Sequence, residues 1–309
     1  MILLNKLSGD KMIANFYFAY ILTVDFFSVN LFTDISREQF ITYMTNQGIG
    51  ENELETILLS EFLTTNDNGL LSLDFNNPII ISTKKNLDIL AITQLENKLQ
   101  HEIFFLKNKI ISELGKNVRS IFLIGSTARN QRTLSSDIDM LMILDKNLDR
   151  TNISFDTNTQ IIKFTTHDFE NLYTSGDELI FWTMKYGIIL HDDGYLPRFY
   201  NYKTSIPYHL LVQNKRMLIE NLTNSLRESR NIHKKLYYKK LSRLAYQIAR
   251  YIILLNKELP LSKKELVKQT KKFDEKFSTM LASIDENQDI IQLIKTFHRI
   301  KTYFNTFRE

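Results

Sequence analysis

The clearest periodicity in the chain lies in residues 95–115, where large apolar residues recur every three or four positions. The stripe consists of Leu95, Leu99, Ile103, Leu106, Ile110 and Leu114. Positions three and four apart lie on one face of an α-helix, so this spacing predicts an amphipathic helix that packs on a core. Gly115 follows directly and is a natural C-terminal stop.

Short apolar runs follow this helix and predict β-strands. Residues 118–125 and 137–144 are nearly continuous apolar stretches, which is typical of buried strands, and residues 159–166 predict a third strand. Residues 167–194 predict a helix, a break at Gly176, a second helix and a short strand at 187–190.

Before residue 95, the pattern changes to short helices and a hairpin. Residues 36–50 and 52–63 predict two helices, and residues 64–75 carry an Asn-Gly turn between alternating positions. This order is that of a winged helix. The second helix contains three Glu and no Lys or Arg, whereas a DNA-reading helix needs cations against phosphates. We therefore expect a structural or protein-contact role for this module rather than DNA binding.

After about residue 205, the pattern is one of long helices. A buried helix is predicted over residues 241–255, with Pro260 ending it and Ser262 capping the next helix. Residues 227–250 are strongly basic, which favours either a phosphate-binding surface or a solvated helix face. We predict three domains: residues 1–90, 91–200 and 201–309.

The amino-acid composition excludes several kinds of site and bears on where the protein is found in the cell. The 309 residues include no cysteine, which excludes a disulfide framework, a thiolate metal site and a cysteine nucleophile, and is consistent with the cytoplasm. The apolar run 12–32 is interrupted by Asp25 after thirteen residues, whereas a membrane-spanning helix needs about 20 apolar residues. We expect a buried first helix and no membrane association.

The stretch GSTARNQRTLSSDID (125–139) carries the candidate chemistry. Asp137 and Asp139 are two positions apart on a predicted strand, so both carboxylates point to the same side. Their repulsion is relieved by a hard divalent cation, Mg²⁺ or Mn²⁺. The Gly125-Ser126 turn ends the preceding strand, where glycine permits close approach to a phosphate. These parts suit a nucleoside triphosphate and in-line nucleotidyl transfer.

The same stretch resembles the signature of the DNA polymerase β-type nucleotidyltransferase superfamily: Gly-Ser, ten residues, then Asp-x-Asp. Arg129 and Ser136 match further positions of its small bacterial and archaeal branch. The strong resemblance covers about residues 95–195. The basic C-terminal helices resemble those of kanamycin-type nucleotidyltransferases and HEPN proteins. The resemblance implies an α+β fold, in which a central mixed sheet is flanked by the winged-helix-like module and a C-terminal helical bundle.

One position departs from that family. A third carboxylate is expected on the next strand, where it would help to activate the attacking hydroxyl. Alignment of residues 159–169 with that strand puts Gln160 at this position, and Asp156 is the nearest acid upstream. Either Asp156 serves and the enzyme is active, or the third ligand is missing and the chain is a slow enzyme or a nucleotide-binding regulator.

The sequence predicts the nucleotide donor more specifically than the acceptor. ATP is the favoured donor, and Lys239, Lys240 and Arg243 are candidate triphosphate contacts across a cleft between the last two domains. The acceptor hydroxyl could belong to tRNA or another RNA, to a protein in a toxin–antitoxin or defence system, or to an antibiotic. The basic C-terminal part favours RNA or protein over a cationic antibiotic.

Overall fold

The computed structural model describes residues 11–132, 136–146, 159–202, 205–228 and 233–307. The helices are α1 (Lys11–Val29), α2 (Arg37–Asn46), α3 (Glu51–Leu58), α4 (Pro78–Thr93), α5 (Asn97–Leu114), α6 (Gly125–Ala128), α7 (Thr166–Ser175), α8 (Glu178–Tyr186), α9 (Pro197–Tyr202), α10 (Tyr208–Glu228), α11 (Lys234–Leu255), α12 (Lys263–Lys271), α13 (Glu275–Ala282) and α14 (Ile290–Asn305). The strands are β1 (Ile35–Ser36), β2 (Leu63–Thr65), β3 (Leu70–Leu73), β4 (Val118–Ile124), β5 (Ile138–Leu144), β6 (Thr159–Thr165) and β7 (Ile188–Asp192).

The chain divides into two compact units. The first contains Met1–Asn171 and Phe181–Ile206, and the second contains Leu172–Ile180 and Pro207–Glu309. The N-terminal module and the central sheet therefore share one unit. The functional division at residues 1–90, 91–200 and 201–309 stays a prediction.

A four-stranded sheet in the order β6-β5-β4-β7 forms the centre of the first unit. Strand β4 is antiparallel to both β5 and β7, whereas β5 and β6 are parallel, so the sheet is mixed as predicted. Strands β4 and β5 are almost entirely buried, which explains why their sequences are continuous apolar runs rather than alternating ones.

Helix α5 covers one face of this sheet, as its apolar stripe predicts. Five of the six stripe positions are buried on the helix, while Leu95 lies just before it and packs against the same core. The stripe meets alternate residues of the two central strands, among them Ile121, Leu123, Met140 and Met142. The apolar residues of α5 recur with the helical period of 3.6, and those of the strands recur with a period of 2. One face of the helix therefore packs on one face of the sheet.

The N-terminal part of the first unit contains the predicted helices and hairpin. Strands β2 and β3 pair as a hairpin, and β1 joins the free edge of β3. Ser36 begins α2 with a capping box completed by Gln39. The resemblance of this order to a winged helix stays a prediction. Within the described residues, no helix is long and apolar enough to cross a membrane.

Helix α4, which the sequence pattern did not reveal, closes the edge of the central sheet. Its Asp88 carboxylate accepts a hydrogen bond from the backbone N–H of Ile189 on β7 (2.9 Å) and pairs with the buried ammonium of Lys84 (3.0 Å). One turn away, Lys85 donates to the carbonyl of Asp192 (2.8 Å). These contacts satisfy backbone groups that an edge strand would otherwise leave unpaired.

The second unit is a helical domain whose core is built on the long helix α11, confirming the helical C-terminal part. Ser262 caps α12 through a capping box with Glu265, as predicted. The helix predicted over residues 241–255 ends at Leu255 as expected, five residues before Pro260, but it begins earlier, at Lys234. Lys257 adopts a positive φ of 56°, its N–H donates to the carbonyl of Leu254, and the next N–H reaches back to Ile253. This is a Schellman motif, which ends the helix before the proline is reached.

Candidate active site

The candidate site lies where three neighbouring strands of the central sheet begin or end. Ile124, the last residue of β4, pairs with Asp139 on β5, and Asp139 pairs in turn with Gln160 on β6. Because β4 is antiparallel to β5, its carboxyl end meets the amino end of β5 at one edge of the sheet. The Gly-Ser turn and the Asp-x-Asp segment, which are separated in sequence, are therefore neighbours at this edge of the sheet.

Gly125 packs directly against the carboxylate of Asp139. Its φ of +73° lies in the left-handed region, and a Cβ added there would be 2.2 Å from Asp139 Oδ2. A side chain at this position would therefore be strained by the backbone and would also collide with the carboxylate. The glycine is needed for the close approach of the turn to the Asp-x-Asp strand.

The turn after Gly125 is a single helical turn, α6, stabilised by its own backbone. The N–H of Gln131 donates to the carbonyl of Ser126 (2.8 Å), which closes the turn, and Ser126 itself is half-buried. The buried Thr127 hydroxyl lies 3.5 Å from the carbonyl of Asp137, so it connects the turn to the Asp-x-Asp segment. Our sequence reasoning missed Thr127, although its place directly after Gly-Ser in the motif marked it as a candidate.

Arg129 and Ser136, the two further motif residues, stay predicted nucleotide-binding residues. The Arg129 guanidinium lies 5.7 Å from the ring centroid of Tyr186, at the end of α8, within cation–π range. This contact holds the arginine close to the turn. Ser136 is half-buried and directly precedes the aspartates.

The two aspartates differ in exposure. Ile138 between them is buried in the core, Asp137 is exposed and Asp139 is half-buried, as expected at the start of a strand that enters a core. Burial raises the pKa of the Asp139 carboxyl, and the neighbouring charge of Asp137 raises it further. Both effects oppose ionisation of Asp139, and a cation bound beside it would offset both.

The third-ligand position is occupied by an amide. Gln160 is exposed and is the direct cross-strand partner of Asp139, as the alignment of this strand assumed. Asp156, the alternative ligand, lies outside the described residues. Among the residues that the structure describes, no three His, Cys, Asp or Glu side chains cluster closely enough to hold a metal. Among the described residues, the site therefore offers two carboxylates, Asp137 and Asp139, as the predicted metal ligands.

The predicted triphosphate contacts lie on α11 in the second unit and do not share one environment. Lys239 and Arg243 line a pocket on this helix, whereas the ammonium of Lys240 points toward α10 and donates to the hydroxyl of Ser225 (3.1 Å). Lys240 is not among the residues that line this pocket. Their contact with a triphosphate stays a prediction.

The site thus combines a mixed sheet with a Gly-Ser turn that meets an Asp-x-Asp strand. Residues 107–193 match the sequence model of the family described as "Polymerase beta, Nucleotidyltransferase". This segment is a nucleotidyltransferase domain of the polymerase β-type superfamily, which confirms the resemblance identified from the motif. The matched range runs from α5 to the end of β7 and contains the Gly-Ser turn and both aspartates.

One solved structure similar to this chain is a nucleotidyltransferase-like protein from Exiguobacterium sibiricum. It shares 15% sequence identity, and the similarity covers 63% of this chain and 73% of that one, with a TM-score of 0.35. None of the curated proteins compared with the chain matches it.

Proposed function

We propose that the protein is a metal-dependent nucleotidyltransferase of the cytoplasm that transfers a nucleoside monophosphate, AMP from ATP in the first instance, to a hydroxyl of RNA or protein. In this reaction the acceptor oxygen bonds to the α-phosphorus, and the bond from that phosphorus to the bridging oxygen breaks. Pyrophosphate leaves, and the hydroxyl proton passes to a base.

The observation that carries this proposal is the contact between Gly125 and Asp139. It leaves no room for a side chain between the turn and the carboxylate, so a phosphate held by the turn lies next to the acid pair. The Ser126 hydroxyl would donate to such a phosphate, and the Arg129 guanidinium would offset its negative charge. Binding and orientation of the triphosphate are thus the work of this turn.

Asp137 and Asp139 would hold the metal. Mg²⁺ is commonly bound by one or two carboxylates together with substrate phosphates, so this pair of oxygen donors fits the ion. Burial and the neighbouring charge of Asp137 raise the pKa of Asp139, and a bound cation would offset both effects. When bound, the ion would neutralise phosphate charge that develops during transfer. The Gln160 amide cannot accept the acceptor's proton at neutral pH, so the base is a different group.

Gln160 also favours a second candidate function, a nucleotide-binding regulator with little or no transfer activity. An amide at the position next to Asp139 can offer a carbonyl oxygen to a cation but supplies no negative charge. Such a protein would bind nucleotide at the Gly-Ser turn and act through contacts with a partner.

The decisive experiment is incubation with each α-³²P-labelled nucleoside triphosphate, Mg²⁺ or Mn²⁺, and a cell extract. We expect label on an acceptor, and we expect the Asp137→Asn/Asp139→Asn variant to lower transfer at least about a hundredfold. A Gln160→Glu variant restores a third carboxylate and should keep or raise transfer. Unchanged transfer by the double variant would refute the proposal. Calorimetric nucleotide binding by the wild type with no labelled acceptor would identify the regulator instead.

A further inference from the structure

The second unit contains a pocket of about 580 Å³ along helices α11 and α12. We call it the basic pocket and define it by six of its lining residues: Tyr238, Lys239, Arg243, Tyr246, Arg250 and Lys263. Glu286 is the acidic residue that lines it. Its volume lies in the range of ligand sites, and its lining combines cations with aromatic rings.

The positive charge of the basic pocket is largely uncompensated. Lys239, Arg243 and Lys263 are exposed, and within the described part of the chain none of the three forms an ion pair with a carboxylate. Arg250 differs, because it pairs with Glu178, a carboxylate that also holds Lys215 at 2.8 Å. Three free cations thus face one acidic residue, and this balance favours an anionic ligand.

The cations of α11 form a stripe rather than a single cluster. Lys239, Arg243 and Arg250 lie at spacings of four and seven, which places them on one face of the helix. Lys239 and Arg243, the two of these that form no ion pair with a carboxylate among the described residues, are about one helical turn apart, about 6 Å along the axis. Lys263 on α12 adds a third cation from a second helix, and competition by ATP decides between a strand and a single nucleotide.

Two tyrosines lie among these cations. Tyr238 and Tyr246 are half-buried and line the basic pocket, and the Lys263 ammonium is 4.7 Å from the centroid of the Tyr246 ring. Burial raises the pKa of the Tyr246 phenol, so the ring stays neutral beside an anion. Aromatic faces next to cations are the combination that single-stranded nucleic acids use, with bases stacked on rings and phosphates on cations.

We propose that the basic pocket binds a short segment of single-stranded nucleic acid, with phosphates on Lys239, Arg243 and Lys263 and a base stacked on Tyr246. RNA and DNA share this chemistry, and the experiment below distinguishes them. Binding at the basic pocket is independent of transfer. Its interpretation as the site for the acceptor strand rests on the proposed function.

The test measures binding of fluorescein-labelled rU12 and dT12 to the full-length protein by fluorescence anisotropy at several salt concentrations. The Lys239→Gln/Arg243→Gln variant should weaken binding at least about tenfold, and the slope of log K against log salt should fall by about 1.4, since each phosphate contact of a single strand contributes about 0.7. Tyr246→Leu should weaken binding about tenfold through lost stacking, while Tyr246→Phe should bind as the wild type does.

The matched control is Lys268→Gln/Arg299→Gln, which removes the same number and kind of charges from exposed positions of α12 and α14 that do not line the basic pocket. It should change affinity by less than about twofold, because exposed charges that do not contact the strand are screened by salt. Circular dichroism melting checks that each variant is folded. Stronger binding of rU12 would identify RNA as the ligand, stronger binding of dT12 would identify DNA, and equal binding would show that the pocket does not discriminate between the sugars.

Three results would overturn the proposal. Equal weakening by the control variant would mean that net charge alone attracts the strand. Full competition by ATP at concentrations that do not depend on strand length would identify a mononucleotide pocket. Absence of strand binding by the wild type would refute it directly. Repeating the assay with Asp137→Asn/Asp139→Asn separates the two proposals, since strand binding should survive in this variant whether or not the wild type transfers nucleotides.

Discussion

Replacing Gly125 by alanine tests whether the Gly-Ser turn and Asp139 are held in contact. The substitution adds one methyl group at φ +73°, 2.2 Å from Asp139 Oδ2. Gly69 offers a matched control, because it has nearly the same backbone conformation, φ +75°, with nothing within 4 Å of an added Cβ. Both variants place an alanine at a similar positive φ, and only the first also meets a neighbouring side chain.

The expected magnitudes follow from these two positions. Alanine in the left-handed region costs about 1–2 kcal/mol, of which about 0.5–1 kcal/mol is offset because the unfolded chain loses freedom. Gly69→Ala should therefore lower the free energy of unfolding by about 1 kcal/mol. At Gly125, Asp139 must also leave its rotamer, which costs about another 1 kcal/mol. We expect a total loss of about 2 kcal/mol in urea unfolding followed by circular dichroism.

The Gly125→Ala and Gly69→Ala variants should also differ in activity. Gly125→Ala should reduce nucleotide binding and label transfer at least about tenfold, because the displaced carboxylate no longer faces the turn. Gly69→Ala should leave both unchanged, since the hairpin turn is remote in the chain from the motif. If Gly125→Ala costs no more stability than Gly69→Ala, Asp139 does not lie against the turn, and the reasoning about this site is wrong.

Three further predictions concern stability. Asp88→Ala should cost about 3 kcal/mol in urea unfolding, because it leaves the Lys84 ammonium buried without its partner; a Lys84→Met/Asp88→Leu variant that is no more stable than Asp88→Ala would contradict this reason. Lys257→Gly should raise the unfolding free energy by about 0.5–1 kcal/mol, since glycine suits the left-handed helix end; no gain would argue against strain there. The raised pKa of Asp139 predicts that metal-free protein loses stability as pH rises through that pKa, because the folded state binds the proton more tightly than the unfolded one. Asp139→Asn should remove this loss and raise the melting temperature at pH 7, and an unchanged pH profile would refute the assignment.

Much of the nucleotidyltransferase domain could be predicted from sequence because its signals are local. The apolar stripe of α5 and the continuous strands β4 and β5 each report burial directly in their own residues. The position of Gln160 was also predictable, because it depends on the register of one strand that the motif itself anchors. The resemblance then supplied the mixed topology, which spacing alone does not contain.

Helix α4 shows why the remainder could not be predicted. Its buried positions are Ile80, Lys84, Asp88 and Ile92, a helical spacing in which two of the four residues are charged. Meanwhile Ile79 and Leu90 are exposed. A prediction based on hydrophobicity alone would therefore bury the wrong face of this helix. Lys84 and Asp88 are buried because they pair with each other, and Asp88 also accepts the backbone N–H of Ile189 on β7, which lies 101 residues away in sequence.

The basic pocket shows a different limit. The sequence revealed that residues 227–250 are basic, but it could not separate Lys240, which contacts Ser225 on α10, from Lys239 and Arg243, which line the pocket. Adjacent residues on a helix point about 100° apart, so one position decides between a contact within the helical bundle and a ligand-facing cation.

The contact between Gly125 and Asp139 also sets an order in which this site can change during evolution. While the aspartate is present, any side chain at position 125 is opposed by both the backbone and the carboxylate. Once Asp139 is replaced by a smaller residue, the 2.2 Å collision with the carboxylate is removed, and what remains is the backbone strain and a 3.1 Å approach to the Cβ at position 139. A lineage that loses transfer activity is therefore expected to lose the aspartate first and the glycine later, so the glycine would persist as a trace of the former site.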